Sequence, residues 1–279
     1  MRHMTAKLNK NIFSTEAKKH GEEMELKKQG TGISVVIPAM NEAASIGLLL
    51  SEIPWHLVDE VIVVDNGSTD NTGEVAESRG ARVIREDRKG YGQACATGVT
   101  NVNPLCNIVV LLDGDYADHP EEMPRLIEPI ITGQYDFVVG SRMRGKREPR
   151  SMTSTQIFGS WLSSSLIKLF HGYRYSDLGP FRAIRRLSLQ KLEMSEMTYG
   201  WSIEMQVKAL QRKLRVHEIP VSYRCRIGQS KVSGTINGSI RAGFRILWTI
   251  ARLTFRKTKP AYAREIAEEG TAVAQTIDQ

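Results

Sequence analysis

Short apolar runs, separated by polar turns, dominate the middle of the chain. Ile33–Ile37, Val61–Val64, Ala81–Arg85, Ile108–Leu112 and Phe137–Gly140 are rich in β-branched residues and read as strands. Between them the period changes. Ile46, Leu49, Leu50 and Ile53 share one face of a helix that begins after Pro38-Ala39-Met40-Asn41-Glu42. The pattern predicts further helices over 71–79, 91–102 and 121–132. Strands alternating with helices predict an α/β fold built on a mostly parallel sheet covered on both faces. Asp65, Asp113 and Gly140 stand at three strand ends, where such sheets bind ligands.

The second half is patterned differently. Ser141–Thr155 carries Arg142, Arg144, Lys146, Arg147 and Arg150 with few apolar residues, and reads as a mobile basic loop. Helices are expected over 156–170 and 201–213, and short strands at Val216–Pro220 and Val221–Cys225. From Ile236 to Lys257 the polar positions Arg241, Arg245, Thr249, Arg252 and Arg256 form one stripe on an otherwise apolar helix. That pattern suits a helix lying in a membrane interface, and equally one packed on its own domain with arginines in water. The chain divides into a polar arm (1–30) with no assigned function, a main domain (31–235), the amphipathic helix (236–259) and a disordered tail (260–279).

Composition narrows this little. Of the 279 residues, 41% are apolar and 25% charged, which is ordinary globular usage. No apolar run reaches the roughly 18 residues of a membrane span, and no secretory signal is expected. Three cysteines without metal-ligand spacing point to idle thiols in a reducing compartment. The net charge of +7 suggests an anionic partner. No nucleic-acid motif accompanies it, so a nucleic-acid partner is not expected.

The chemistry starts at Asp113-Gly114-Asp115. Carboxylates two apart on an extended chain face the same way, and beside a hard cation they can clamp a nucleotide's phosphates. Alone, the motif is more often a polar turn that ends a strand. Its company is informative. Val35–Glu42, Val64–Asp70, Lys89-Gly90, Asp113–Asp115, Gly140-Ser141-Arg142 and Arg226–Lys231 follow one another in the order seen in family 2 glycosyltransferases. They most resemble the polyprenyl-phosphate branch, which includes dolichyl-phosphate mannose and glucose synthases, over about residues 33–235.

The resemblance implies a GT-A fold, Rossmann-like, with the C-terminal amphipathic helix as an extension. It implies an inverting, metal-dependent hexosyltransferase using Mg²⁺ or Mn²⁺ and a nucleotide sugar. Pro38, Ala39 and Glu42 would flank the nucleobase and ribose, Asp65 would bind the base, and Lys89 and Gly90 would sit by the nucleotide. Asp113 would contact ribose or the metal, Asp115 would bind the metal, and Arg142 would meet phosphate charge. The family often places a glutamine where this chain has Ala117, so Asp118 or water would complete the metal shell.

A phosphate acceptor is already a nucleophile near neutral pH, since its second pKa is about 6. It needs cations, for which Arg226, Ser230 and Lys231 are the candidates and Arg224 a substitute. A hydroxyl acceptor would need a base, for which Asp177 and Glu204 are available. The expected activity is hexose transfer from a nucleotide sugar, UDP-sugar favoured and GDP-mannose compatible, to a polyprenyl or dolichyl phosphate. The expected place is peripheral, at the cytoplasmic face of a membrane, and a homo-oligomer is compatible with the sequence. The rivals are a soluble transferase with a hydroxyl acceptor and a non-catalytic nucleotide-binding or membrane scaffold.

Overall fold

The computed structural model describes residues 31–228 and 247–254. The arm 1–30, Ser230, Lys231, most of the predicted 236–257 helix and the tail lie outside the described residues. The elements in order are β1 (Gly32–Ala39), α1 (Ala43–Ser51), β2 (Glu60–Asp65), α2 (Thr72–Ser78), β3 (Arg82–Arg85), α3 (Tyr91–Thr100) and β4 (Cys106–Leu111). Then come α4 (Met123–Ile131), β5 (Phe137–Ser141), α5 (Ser154–His171), β6 (Arg182–Arg185), α6 (Arg186–Leu192), α7 (Trp201–Gln211) and β7 (Val216–Pro220). A helical segment, α8, covers 247–254.

The seven strands form one sheet in the order β3-β2-β1-β4-β6-β5-β7. All neighbours pair parallel except β6, which runs antiparallel to β4 and β5. Side chains alternate across the sheet as a period of two requires. Ile108 and Val110 of β4 join one apolar layer with α1 and α4, whereas Val109 and Leu111 join the other with α3, α5 and α7. The five strands of the first half match the prediction within a residue or two.

Three expectations are corrected. β6 and α6 were not foreseen, because Arg182-Ala183-Ile184-Arg185 has a charge at each end. Arg182 is nonetheless buried, with its guanidinium donating to the carbonyls of Pro180 and Ser202, both at 3.2 Å. Val221–Cys225 is not a strand; only Tyr223 bridges, to Asp118 and Arg147. The basic loop after β5 is pinned rather than mobile, since Tyr223 exchanges backbone bonds with Lys146 and Glu148 at 2.9 Å each.

α5 is inside out. Thr153 and Gln156 form a reciprocal capping box at its start. Ser160, Ser163, Ser164 and Ile167 face inward, while Phe158 (59% exposed), Trp161 (53%) and Leu169 (72%) face solvent. α8 buries Thr249, Ile250 and Leu253 and exposes Leu247 and Trp248. Arg252 turns towards the domain, to Glu196 at 3.5 Å, and so leaves the outward stripe the sequence suggested. Among the described residues, no helix is long and apolar enough to cross a membrane.

Candidate active site

A cavity of about 400 Å³ opens at the carboxyl ends of β1, β2 and β4. Pro38, Ala39 and Glu42 line one side, Asn66, Lys89 and Gly90 another, and Asp113, Gly114 and Asp115 the floor. Thr198, Tyr199 and Arg226 come from the second half of the chain. Most of the sequence-predicted nucleotide residues therefore meet in one place. The sequence reading missed Met40, Asn66, Tyr91, Ala94, Thr198 and Tyr199.

Asn66 is the most informative of these. Its side chain accepts from Gly90 N at 2.8 Å and donates to the carbonyls of Glu86 (3.0 Å) and Arg88 (2.8 Å), so it shapes the whole 86–90 turn. Gly90 has φ 151°, and a Cβ there would lie 2.4 Å from Met197 O. Only glycine lets the turn approach the 197–199 wall so closely. That wall in turn caps α3: the carbonyls of Thr198 and Met197 accept from Gly92 N (3.2 Å) and Gln93 N (2.9 Å).

Asp65 does not line the cavity. Its carboxylate accepts from Ser68 N at 2.8 Å and pairs with Arg85 at 3.0 Å, at the edge of the loop that follows β2. Asp70 accepts from Thr72 N (3.1 Å) and Ala43 N (3.2 Å) and so ties the starts of α1 and α2 together.

Asp115 is buried. Its Oδ1 accepts from Ala117 N at 3.0 Å and its Oδ2 from Arg226 Nε at 2.9 Å, with Arg226 Nη2 also in contact. Asp113 receives the hydroxyl of Tyr91, and burial raises its pKa against the pull of that hydroxyl and of Arg226, Arg142 and Arg182. Among the described residues, Asp113 Oδ1 and both oxygens of the fully buried Asp118 have no hydrogen-bond partner. Burial, with repulsion from Asp113, pushes Asp118 up to about 7.

Among the described residues, no three acidic, histidine or cysteine side chains are grouped to hold a cation by themselves. Mg²⁺ or Mn²⁺ at a nucleotide site is commonly held by one or two carboxylates, with substrate phosphate supplying the rest. Asp113 and Asp115 are the residues that would hold it, and Asp113 Oδ1, which has no hydrogen-bond partner among the described residues, fits a hard cation.

Arg142 and Asp177 do not line the cavity. They form a bidentate pair at 2.7 and 3.0 Å, and Arg142 N, Ser160 Oγ and Leu178 N also donate to Asp177. Although burial opposes it, the Arg142 guanidinium holds the Asp177 carboxyl below its ordinary range. Asp177 is fully buried, and both of its oxygens are engaged by Arg142, Ser160 and Leu178. Glu204 is likewise buried, accepting from Ser195 N (2.8 Å), Glu196 N (2.7 Å) and Lys208 (2.9 Å). Arg224 lies over the Tyr116 ring at 3.7 Å and pairs with Glu52.

This sheet, with paired carboxylates beyond a central strand and a lined cavity beside them, is the GT-A arrangement of glycosyltransferases. The chain belongs to glycosyl transferase family 2, whose model matches residues 34–193. An uncharacterized glycosyltransferase of Mycobacterium tuberculosis is 35% identical over 76% of this chain and 95% of its own length. The undecaprenyl-phosphate mannosyltransferase of Micrococcus luteus is 29% identical over 74% of this chain and 89% of its own. Among solved structures, glucosyl-3-phosphoglycerate synthase from Mycobacterium tuberculosis, in complex with Mn²⁺, UDP-glucose and phosphoglyceric acid, superposes with a TM-score of 0.67. The two are 25% identical, and the match covers 85% of each chain.

Proposed function

We propose that the protein transfers a hexose from a nucleotide sugar, with a UDP-sugar favoured, to a polyprenyl phosphate at the cytoplasmic surface of a membrane. The observation that carries this reading is the state of the two carboxylates a hydroxyl acceptor would need. Asp177 and Glu204 are both fully buried and locked in ion pairs. A phosphate acceptor needs no base, only cations to orient it.

In this reading Pro38, Ala39, Glu42, Lys89 and Gly90 hold the nucleoside, and Asp113 and Asp115 face the diphosphate. The divalent cation, when bound, would neutralise charge on the departing nucleoside diphosphate. Arg226, hydrogen-bonded to Asp115, is a cation of the cavity wall beside that charge, with Ser230 and Lys231 proposed to join it on the acceptor. Arg142, anchored by Asp177, adds fixed positive potential beside the site without reorganising during reaction.

Membrane attachment is supported by the outer face of α5. Phe158, Trp161 and Leu169 are exposed, and no acidic residue occurs from Pro149 to Ser176. An apolar face beside basic residues favours an anionic lipid surface. The undecaprenyl-phosphate relative and the UDP-glucose complex support the acceptor and donor classes respectively.

The test is a screen of nucleotide sugars against short polyprenyl phosphates and soluble phosphorylated or hydroxyl acceptors, with products read by mass. A glycosyl phosphate-linked polyprenol is the expected product. Transfer only to a soluble hydroxyl acceptor would overturn the reading.

A further inference from the structure

The wall of the cavity at Thr198 and Tyr199 is tied to a helix that does not touch the cavity. Glu196 is almost fully buried, and its two carboxylate oxygens look in different directions. Oε1 accepts from Thr198 N at 3.2 Å and Thr198 Oγ1 at 2.6 Å. Oε2 faces α8, with Thr249 Oγ1 at 3.4 Å and Arg252 Nη2 at 3.5 Å. One carboxylate thus joins the pocket wall to the C-terminal helix.

The junction has no slack. A Cβ on Gly200 would lie 2.7 Å from both Glu196 Cγ and Thr249 Oγ1. Ile250 and Leu253 fix α8 from below, in the apolar layer that also holds Trp201. Charge explains why an arginine is used. Glu196 and Glu204 are two buried acids a few residues apart, and Lys208 pairs with Glu204 at 2.9 Å. Arg252 brings a second positive charge, reaching Glu196 at 3.5 Å and Glu204 at 4.0 Å. Without it the two buried carboxylates lose part of their compensation, and a group so weakened shifts towards water or towards taking a proton. Either change loosens its hold on Thr198.

We infer that Arg252 and Thr249 are positioning residues for donor binding, acting through Glu196 on the Thr198–Tyr199 wall. The inference rests on reading the cavity as the nucleotide-sugar site. Neither residue lines the cavity, so donor affinity, not the rate of the bound complex, is what they set. The wall also caps α3, so a loosened wall uncovers the amides of Gly92 and Gln93.

The experiment uses the full chain as wild type, Arg252→Gln, Arg252→Lys and Thr249→Val. UDP and GDP binding are measured by calorimetry, initial rates against donor concentration, and hydrogen exchange in peptides covering 90–94 and 194–200. Arg252→Gln should raise the nucleotide Kd and the donor KM about tenfold, within the range of coupling between contacting residues. Its kcat should stay within about twofold, and Arg252→Lys should recover most of the loss. Exchange should quicken at 90–94 and 194–200 while the strands keep their protection. Unchanged affinity and unchanged exchange at 194–200 would overturn the inference and leave α8 as packing alone. If Arg252→Gln does not fold, Thr249→Val, which keeps the charge, is judged by the same readouts. A wild type that binds neither nucleotide would remove the nucleotide-site reading, and the exchange measurement would still decide whether α8 holds the wall.

Discussion

Arg226 and Asp115 meet across the mouth of the cavity, with Arg226 Nε donating to Asp115 Oδ2 at 2.9 Å. Asp115 is a proposed metal ligand, so guanidinium and cation seek the same oxygen. Arg226 was expected to wait for the acceptor, and its contact ties it to the donor side as well.

Two substitutions separate these roles. Asp115→Asn should abolish transfer with the fold intact, since it removes a hard anionic ligand at nearly constant shape. Arg226→Gln should tighten Mn²⁺ binding in the absence of nucleotide by about tenfold, the scale of one charge-assisted bond. Electron paramagnetic resonance of free Mn²⁺ reads the second effect directly. Equal Mn²⁺ affinity in both proteins would mean that the pair does not compete with metal.

The Arg142–Asp177 pair should matter for stability before it matters for catalysis. Asp177→Ala leaves a buried guanidinium without its counter-ion, which typically costs about 3–5 kcal/mol. Removing both charges, as Arg142→Met with Asp177→Ala, should cost less than Asp177→Ala alone. Denaturant melts of the two variants give the comparison; a double variant weaker than the single would show that the pair is not the source of the loss.

Asp118 predicts a pH dependence of stability. Its carboxyl sits at about 7 in the folded chain, above the ordinary value near 3.9 of an unfolded aspartate. The folded state therefore holds the proton more tightly. Its contribution is greatest below about pH 4 and is lost as pH rises towards 7. Asp118→Asn should flatten that decline, gaining on the order of a few kcal/mol relative to wild type at pH 8 but little at pH 4. Chemical melts in chelator at the two pH values test it, and parallel curves for the two proteins would contradict it.

The outer face of α5 gives a prediction about location. Phe158→Ser with Trp161→Ser should release the protein from anionic vesicles, with a folded-state melting temperature near that of wild type. Sedimentation with phosphatidylglycerol vesicles at two salt concentrations reads it. Wild-type protein that stays in the supernatant at low salt would remove the membrane surface from the proposal.

Much of this molecule is legible in the sequence because its central strands are unbroken apolar runs. Ile33–Ile37, Val61–Val64 and Ile108–Leu112 announce a buried parallel sheet, and Asp113 and Asp115 mark the strand end where the cavity opens. Arg182–Arg185 is hidden for the opposite reason. Its arginines find backbone carbonyls, as Arg182 does at Pro180 and Ser202, and periodicity carries no trace of such partners. Asp177 illustrates a second limit. A carboxylate available as a base reads the same whether it faces substrate or an arginine, and only the fold brings Arg142 and Ser160 onto it. The Thr198–Tyr199 wall belongs to none of the motifs, and only Gly90's need for close approach hints that something packs there.

The place of β6 between β4 and β5 bears on how the protein is made. Ribosomes deliver the amino end first, at about 5–20 residues per second. β1 to β4 can pair as they emerge, but the far edge of β4 has no partner until Arg182–Arg185 follows seconds later. An open strand edge is a template for joining another chain. A nascent chain stopped before Arg182 should therefore self-associate, and one released after Pro220 should not, an outcome readable by light scattering of the two truncated products. The same strand that completes the sheet beside Asp113 and Asp115 would then also end the interval in which the unfinished protein is exposed to its neighbours.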